Sequence, residues 1–343
     1  MKPEQAEQFL IEELFRQSKE RGILINDEIV SIDRLTGDAS TRRYYRLFLK
    51  DTSLVACLDN PTISPDETNP FVSHQQFLKE NGIRVPDILD INLSKGYILE
   101  EDLGDITYLS YLSRIKSDKE ELKYYQIIID QLLNLHKIPL DKITKSNISK
   151  LKFDYQKLMD EMEFTFKFFI KNFLQIQDEV FVENLRKEIN LICHRLANEK
   201  MVLTHRDFHS RNLMVKNNEF IFIDFQDARL GIPQYDLVSL LEDCYYDLKE
   251  ENRIFLKKYY YENFSDLQKN QKNFQNFELL YNDMLFQRVF KAIGSFSYIY
   301  ATRKDVRYLK YIGFAMEKLR KMMLHDHRFE SLRITLFEQY YVS

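Results

Sequence analysis

The chain has 343 residues, 44% of them hydrophobic and 30% charged, enough apolar side chain for sizeable cores in two or three domains, or in two lobes sharing a cleft. Lysine and arginine number 49 against 53 acidic residues, and the net charge of −4 gives no sign of a nucleic-acid-binding surface. No run of eighteen apolar residues occurs and MKPEQAEQFLIEELF lacks the apolar core of a signal peptide, so a soluble, cytoplasmic protein with no membrane partner is expected.

Cys57, Cys193 and Cys244 are odd in number and far apart, which argues against a disulfide framework or a zinc site and for buried free thiols. With 8 glycines and 7 prolines against 21 tyrosines and 26 phenylalanines, helices with aromatic cores are expected rather than flexible linkers.

From 3 to about 21 the apolar residues Ala6, Phe9, Leu10, Leu14 and Phe15 follow helical spacing, and Gly22 stops the run. Three short β-like segments follow, 29–35, 43–49 and 54–58. Between the first two lies Thr36-Gly37-Asp38-Ala39-Ser40-Thr41-Arg42-Arg43. A turn with small residues at its tip can present backbone N–H groups and the Ser40 and Thr41 hydroxyls to the phosphates of a nucleotide, with Arg42, Arg43 and Arg46 adding positive charge. In protein kinases the third strand carries a phosphate-pairing lysine, V-A-I-K. Here it reads Val55-Ala56-Cys57-Leu58. Either arginines of the hairpin replace the missing charge or nucleotide binding is impaired.

Segments 83–91 and 95–99 complete a five-stranded N-lobe over 1–100. The acidic, glycine-ended Glu100-Glu101-Asp102-Leu103-Gly104 reads as an interlobe hinge at 101–104, with backbone groups near Glu100 and Asp102 available to an adenine edge. A helical C-lobe, 105–343, follows, with amphipathic runs at 106–114, 119–136, 153–173 and 179–198. His136 closes one of these helices on its apolar face as a core or capping residue, and the band Phe164, Phe166, Phe168, Phe169, Phe173 reads as helical core.

Within the C-lobe, 202–204, 213–215 and 220–223 read as strands holding two polar loops. The first, His205-Arg206-Asp207-Phe208-His209-Ser210-Arg211-Asn212, fits the kinase catalytic-loop pattern H-R-D-x-x-x-x-N; the second opens with Asp224-Phe225-Gln226, glutamine standing where kinases have glycine. Phosphoryl transfer asks for positioning, charge neutralisation and an acceptor for the attacking hydroxyl's proton. Asp207 would take that proton, and Asn212 and Asp224 would hold Mg2+, which binds through one or two protein oxygens plus phosphates and water. Asp236, in the turn before a helix at 237–247, is placed to cap that helix and brace the catalytic loop. Helices at 282–300, 305–324 and 330–341 finish the chain, with Arg288, Lys291 and Arg303 as candidate contacts for an acidic group.

In order, the hairpin, hinge, His205-to-Asn212 loop, Ile223-Asp224-Phe225-Gln226-Asp227-Ala228 and Gly231-x-Pro233-x-Tyr235-Asp236-Leu237 resemble the aminoglycoside phosphotransferase and choline kinase family. Gly37-Asp38-Ala39-Ser40-x-Arg42-Arg43-Tyr44, Asp102-Leu103-Gly104-Asp105 and Gln287-Arg288 leading into Phe290-Lys291-Ala292-Ile293-Gly294 are similar to the bacterial N-acetylmuramate/N-acetylglucosamine anomeric kinases of cell-wall recycling. In that subgroup the third strand also lacks the lysine and ends in an aspartate, as Asp59 does here. This chain departs from it at Asn60-Pro61-Thr62 and over 146–198. The resemblance implies a bilobal, protein-kinase-like α+β fold, and ATP- and Mg2+-dependent transfer to the anomeric hydroxyl of an N-acetyl amino sugar. Arg211 and Asp227, with Arg288, are then the candidates for holding the acceptor. The alternatives are a kinase for an aminoglycoside or amino alcohol, whose cationic substrates need an acidic pocket, and a non-catalytic nucleotide-binding pseudokinase.

Overall fold

The computed structural model describes residues 4–24, 28–35, 42–61, 69–271 and 273–342. The chain folds as two compact units, Met1–Thr107 with Leu213–Gln226, and Tyr108–Asn212 with Asp227–Ser343. In chain order the elements begin α1 (Gln5–Glu20), β1 (Ser31–Arg34), β2 (Arg43–Phe48), β3 (Ser53–Leu58), α2 (Pro70–Glu80), β4 (Ile88–Asn92) and β5 (Tyr97–Glu101). Next come α3 (Tyr108–Leu112), α4 (Asp118–His136), α5 (Leu140–Thr144), α6 (Tyr155–Thr165) running into a π-helical stretch Phe166–Phe173, and α7 (Glu179–Ala197). Four short strands follow, β6 (Val202–Thr204), β7 (Leu213–Lys216), β8 (Glu219–Phe222) and β9 (Arg229–Gly231). The rest is helical: α8 (Gln234–Leu241), α9 (Glu250–Glu262), α10 (Ser265–Gln271), α11 (Phe274–Arg303), α12 (Leu309–His325) and α13 (Glu330–Val342).

In the first unit the five strands form one antiparallel sheet in the order β1-β2-β3-β5-β4. Side chains alternate between its two faces. One face carries Tyr45, Leu47, Ala56, Leu58, Tyr97 and Leu99 against Ile11, Leu14 and Phe15 of α1, which is the unit's core. By the strand register Tyr44 pairs with Cys57, which pairs with Ile98, and Arg46 pairs with Val55, which pairs with Glu100, so these six residues share the opposite face. β7 and β8 form the unit's second sheet, a hairpin turned by Asn217 and Asn218, both in the left-handed region. Leu103, Met214 and Ile221 close a small core beside it.

The second unit is built on α11. Phe286, Val289, Phe290 and Ile293 are buried along it, each such side chain contributing about 2 kcal/mol by leaving water. Gly294 lies so close to Thr165 of α6 that a β-carbon there would sit 2.8 Å from the Thr165 Cα. That is why the helices approach at a glycine. Of the aromatic band, Phe166 and Phe169 are core, whereas Phe164 and Phe168 lie at the surface with Tyr298. The three cysteines are free and buried. Among the described residues no helix is long and apolar enough to cross a membrane.

Two expected helices are shorter than their patterns: the run expected over 106–114 is helical only over Tyr108–Leu112. The run expected over 237–247 ends at Leu241, where Glu242 leaves helical geometry and Asp243 caps the following turn through the Tyr245 N–H at 2.8 Å. β9 has no counterpart among the expected elements. It is three residues long, too short for a periodic signal, and exists by pairing antiparallel with β6.

Candidate active site

The catalytic-type loop of the second unit is held from below by carboxylates and an amide. Asp236, fully buried near the start of α8, accepts the His205 N–H at 2.6 Å and the Arg206 N–H at 2.9 Å, one on each oxygen. His136 of α4 stands 3.2 Å from the same carboxylate and 2.6 Å from the Tyr260 hydroxyl, so it orients the brace from within the core. Farther along, Asp243 accepts both the N–H (3.0 Å) and the hydroxyl (2.5 Å) of Ser210. The Asn212 amide donates to the Asp207 carbonyl at 3.0 Å. These bonds fix a loop in which Arg206 takes φ 83°, a left-handed conformation that non-glycine residues hold only under constraint.

Asp207 emerges from this loop about one-fifth exposed. Arg288 and Lys291 of α11, three residues apart and so on one helical face, reach its Oδ1 at 3.3 and 3.4 Å, and Arg206 lies 3.7 Å from the other oxygen. Burial alone would raise the Asp207 carboxyl, but Lys291, Arg206 and Arg288 outweigh it and hold it well below the usual range. Burial in turn pulls the Lys291 ammonium below its ordinary value, against the attraction of Asp207. A cavity of about 160 Å³ opens beside Asp207, walled by Ser239, Asp243, Tyr245, Lys291 and Ser295.

Of the residues expected at the acceptor, Arg288 lines this cavity and Arg211 and Asp227 do not. The Arg211 guanidinium lies over the Tyr245 ring at 5.0 Å, and Asp227 is paired with Arg206 at 2.6 Å and Arg229 at 3.4 Å. Asp243 and Arg206 carry no expectation from the sequence as participants. A capping pair such as Ser210 and Asp243, 33 residues apart, leaves no local pattern in sequence.

In the first unit Asp224 is exposed and, like Arg206, sits in the left-handed region, with φ 63°. Its neighbour Phe225 stacks on Phe71 of α2 at 5.0 Å, and the Arg42 guanidinium lies over the Phe71 ring at 5.3 Å. Arg42 is further paired with Asp59 at 3.2 Å. Asp59 is itself fixed where its N–H meets the Gly96 carbonyl at 2.8 Å. Arg43 points elsewhere, paired with Glu7 of α1 at 2.6 Å. Ser40 and Thr41 lie outside the described residues.

Around the expected hinge the chain is held by strand pairing and by a lysine. Glu100 lies in β5 between β3 and β4, with its side chain buried. The Asp102 carbonyl accepts from Lys216 at 2.8 Å, while its carboxylate holds Arg46 (2.7 Å), the Ser53 hydroxyl (2.6 Å) and the Gly104 N–H (2.8 Å). β5 runs two residues beyond the expected strand, and its end is tied down by a lysine from β7.

For magnesium, the donor types suit a hard cation: a carboxylate at Asp224 and a side-chain amide oxygen at Asn212. Among the described residues no group of three His, Cys, Asp or Glu side chains could hold a metal ion.

The profile of the APH family, described as the phosphotransferase enzyme family, matches residues 31–265, more than half of the chain. This chain belongs to the APH family. Within curated proteins it is similar to the N-acetylmuramate/N-acetylglucosamine kinase of Neisseria meningitidis, 28% identical over 62% of each chain. It is likewise similar to the protein of that name from Pseudomonas putida, 32% identical over 63% of this chain and 60% of the relative. The match thus spans about three-fifths of these relatives' length. Among solved structures, the APH fold of this chain is that of the gentamicin complex of APH(2")-IIa, with a TM-score of 0.60 at 20% identity, covering 92% and 97% of the two chains. Choline kinase LicA from Streptococcus pneumoniae follows at 0.58 and 13%, covering 92% and 99%. A protein-kinase-like α+β fold is therefore shown.

Proposed function

We propose that this chain is an ATP-dependent kinase that phosphorylates the anomeric hydroxyl of an N-acetyl amino sugar, N-acetylmuramate, N-acetylglucosamine or both, to the sugar 1-phosphate. The observation that carries the reading is Asp207, set by a braced loop at the mouth of a cavity whose wall includes Arg288 and Lys291. The names of the curated relatives point the same way.

In this reading the sugar hydroxyl donates its proton to Asp207 as its oxygen forms a bond to the γ-phosphorus. The bond from that phosphorus to the bridging oxygen breaks, and ADP leaves with the electron pair. A carboxylate held well below its usual range is a weak base, which suits an anomeric hydroxyl, more acidic than an ordinary alcohol. Positioning then supplies most of the rate. Magnesium, held by Asn212 and Asp224, would neutralise charge on the phosphates. Arg42, paired with Asp59 and stacked on Phe71, would supply the positive charge that β3 lacks, and Ser40 and Thr41 would contact the phosphates. Residues 1–100 form the nucleotide lobe, 101–104 the hinge and 105–343 the acceptor lobe. The enzyme works in the cytoplasm on small molecules.

The test is a screen of neutral, anionic and cationic acceptors with ATP and Mg2+, repeated with Asp207→Ala. N-acetyl sugars should be the acceptors, and the variant should lose at least about a hundredfold in kcat while nucleotide still raises its Tm. Turnover of Asp207→Ala at the parent's rate, or transfer only to cationic acceptors, contradicts the proposal.

A further inference from the structure

The cavity beside Asp207 holds more positive charge than one carboxylate balances. Arg288 is fixed on three sides: Nε donates to the Ser239 hydroxyl at 2.9 Å, Nη2 to Asp207 at 3.3 Å, and the guanidinium lies over the Tyr235 ring at 5.8 Å. Lys291, one helical turn on, is held more loosely. Its only ion-pair partner among the described residues is the same Asp207 oxygen, at 3.4 Å, well beyond the roughly 2.7–2.9 Å of a strong charge-assisted bond.

The other carboxylates of the cavity wall are engaged elsewhere. Asp243 accepts from Ser210 and Tyr245, and Glu242 accepts the Tyr281 hydroxyl at 3.0 Å and faces Arg253 and Lys318 at 3.4 and 3.5 Å. Two largely buried cations therefore meet one carboxylate, and a buried charge without a counter-charge is costly. Lysine's flexible stem lets its ammonium move to a second anion while Arg288 keeps Asp207 in place. Along α11 the cavity wall continues from Lys291 through Ala292 and Ser295 to Phe296, so Lys291 lines the space the acceptor would fill.

We propose that Lys291 selects the acceptor by charge, binding the carboxylate of an anionic N-acetyl sugar acid and excluding cationic amino alcohols and aminoglycosides. This rests on the sugar-kinase reading. The experiment measures kcat and KM of the parent, Lys291→Met and Lys291→Arg with N-acetylmuramate, N-acetylglucosamine and a cationic aminoglycoside. The parent should prefer the anionic sugar and leave the aminoglycoside untouched. Whatever Lys291→Met loses with N-acetylglucosamine, its loss with N-acetylmuramate should be at least about tenfold larger and lie in KM, whereas Lys291→Arg should keep the preference within about threefold. A proportional fall in kcat with both sugars and an unchanged preference would place the ammonium on the transferring phosphoryl group and overturn the inference alone. Absence of product from both sugars with the parent overturns the sugar-kinase reading and this inference with it.

Discussion

Three cations converge on Asp207 from two directions in sequence, Arg206 beside it in the loop and Arg288 and Lys291 from 81 and 84 residues away. The loop residues were legible because the catalytic pattern is contiguous, with backbone geometry and chemistry encoded within eight residues. The grip of α11 was legible only as two basic residues in a helix, since nothing local says which carboxylate they meet. Glu100 shows the converse. An acidic residue after an apolar strand reads as the start of a loop, yet it lies inside the sheet, where burial pushes its carboxyl up to about 8 against the pull of Arg42. A folded-state value above the unfolded one means that the folded chain holds the extra proton. The corresponding stability is fully present below about 4.5 and is lost as pH rises through about 8. Glu100→Gln should therefore gain on the parent between about pH 5.5 and 8.5, by a few kcal/mol at most, seen as a widening Tm difference. A difference that stays flat across that range would show that Glu100 is ionised in the fold.

Long helices and the five-stranded sheet were readable because their periods repeat over many residues, whereas β9 and the early end of α8 depend on partners distant in sequence. That early end matters chemically, because it turns Asp243 toward Ser210 instead of continuing the helix. The run Gln287, Arg288, Lys291, Gly294 gains its meaning from helical geometry. Gln287 donates to Glu161 of α6 at 3.0 Å and Gly294, two turns on, meets Thr165 of the same helix, while Arg288 and Lys291 point to Asp207. The α6 contact thus sets the rotation of α11 that aims the two cations. Gly294→Ala should lose about 1–3 kcal/mol in urea unfolding, because the new methyl overlaps backbone as well as side chain. Gly313→Ala, exposed within α12 and with nothing near its β-carbon, should gain about 0.5–1 kcal/mol. Equal effects at the two sites would contradict a close crossing at Gly294.

Over the whole molecule, Leu213–Gln226 groups with the N-terminal unit, although it follows the catalytic loop directly in sequence. The reason lies in the pairing of the Val215 N–H with the Ile106 carbonyl, the Phe222 N–H with the Arg84 carbonyl, and Lys216 with Glu101, all across more than a hundred residues. Linear reading cannot see such a return. The motif order nonetheless pointed to the family, since each motif is short and self-contained. What most directly tests the account is phosphorus NMR of the product made from ATP, Mg2+ and N-acetylmuramate or N-acetylglucosamine. The account expects a phosphomonoester split by the anomeric proton, formed by the parent and absent with Asp207→Asn. A phosphate coupled to any other position of the sugar, or the same product from Asp207→Asn at the parent's rate, would contradict it.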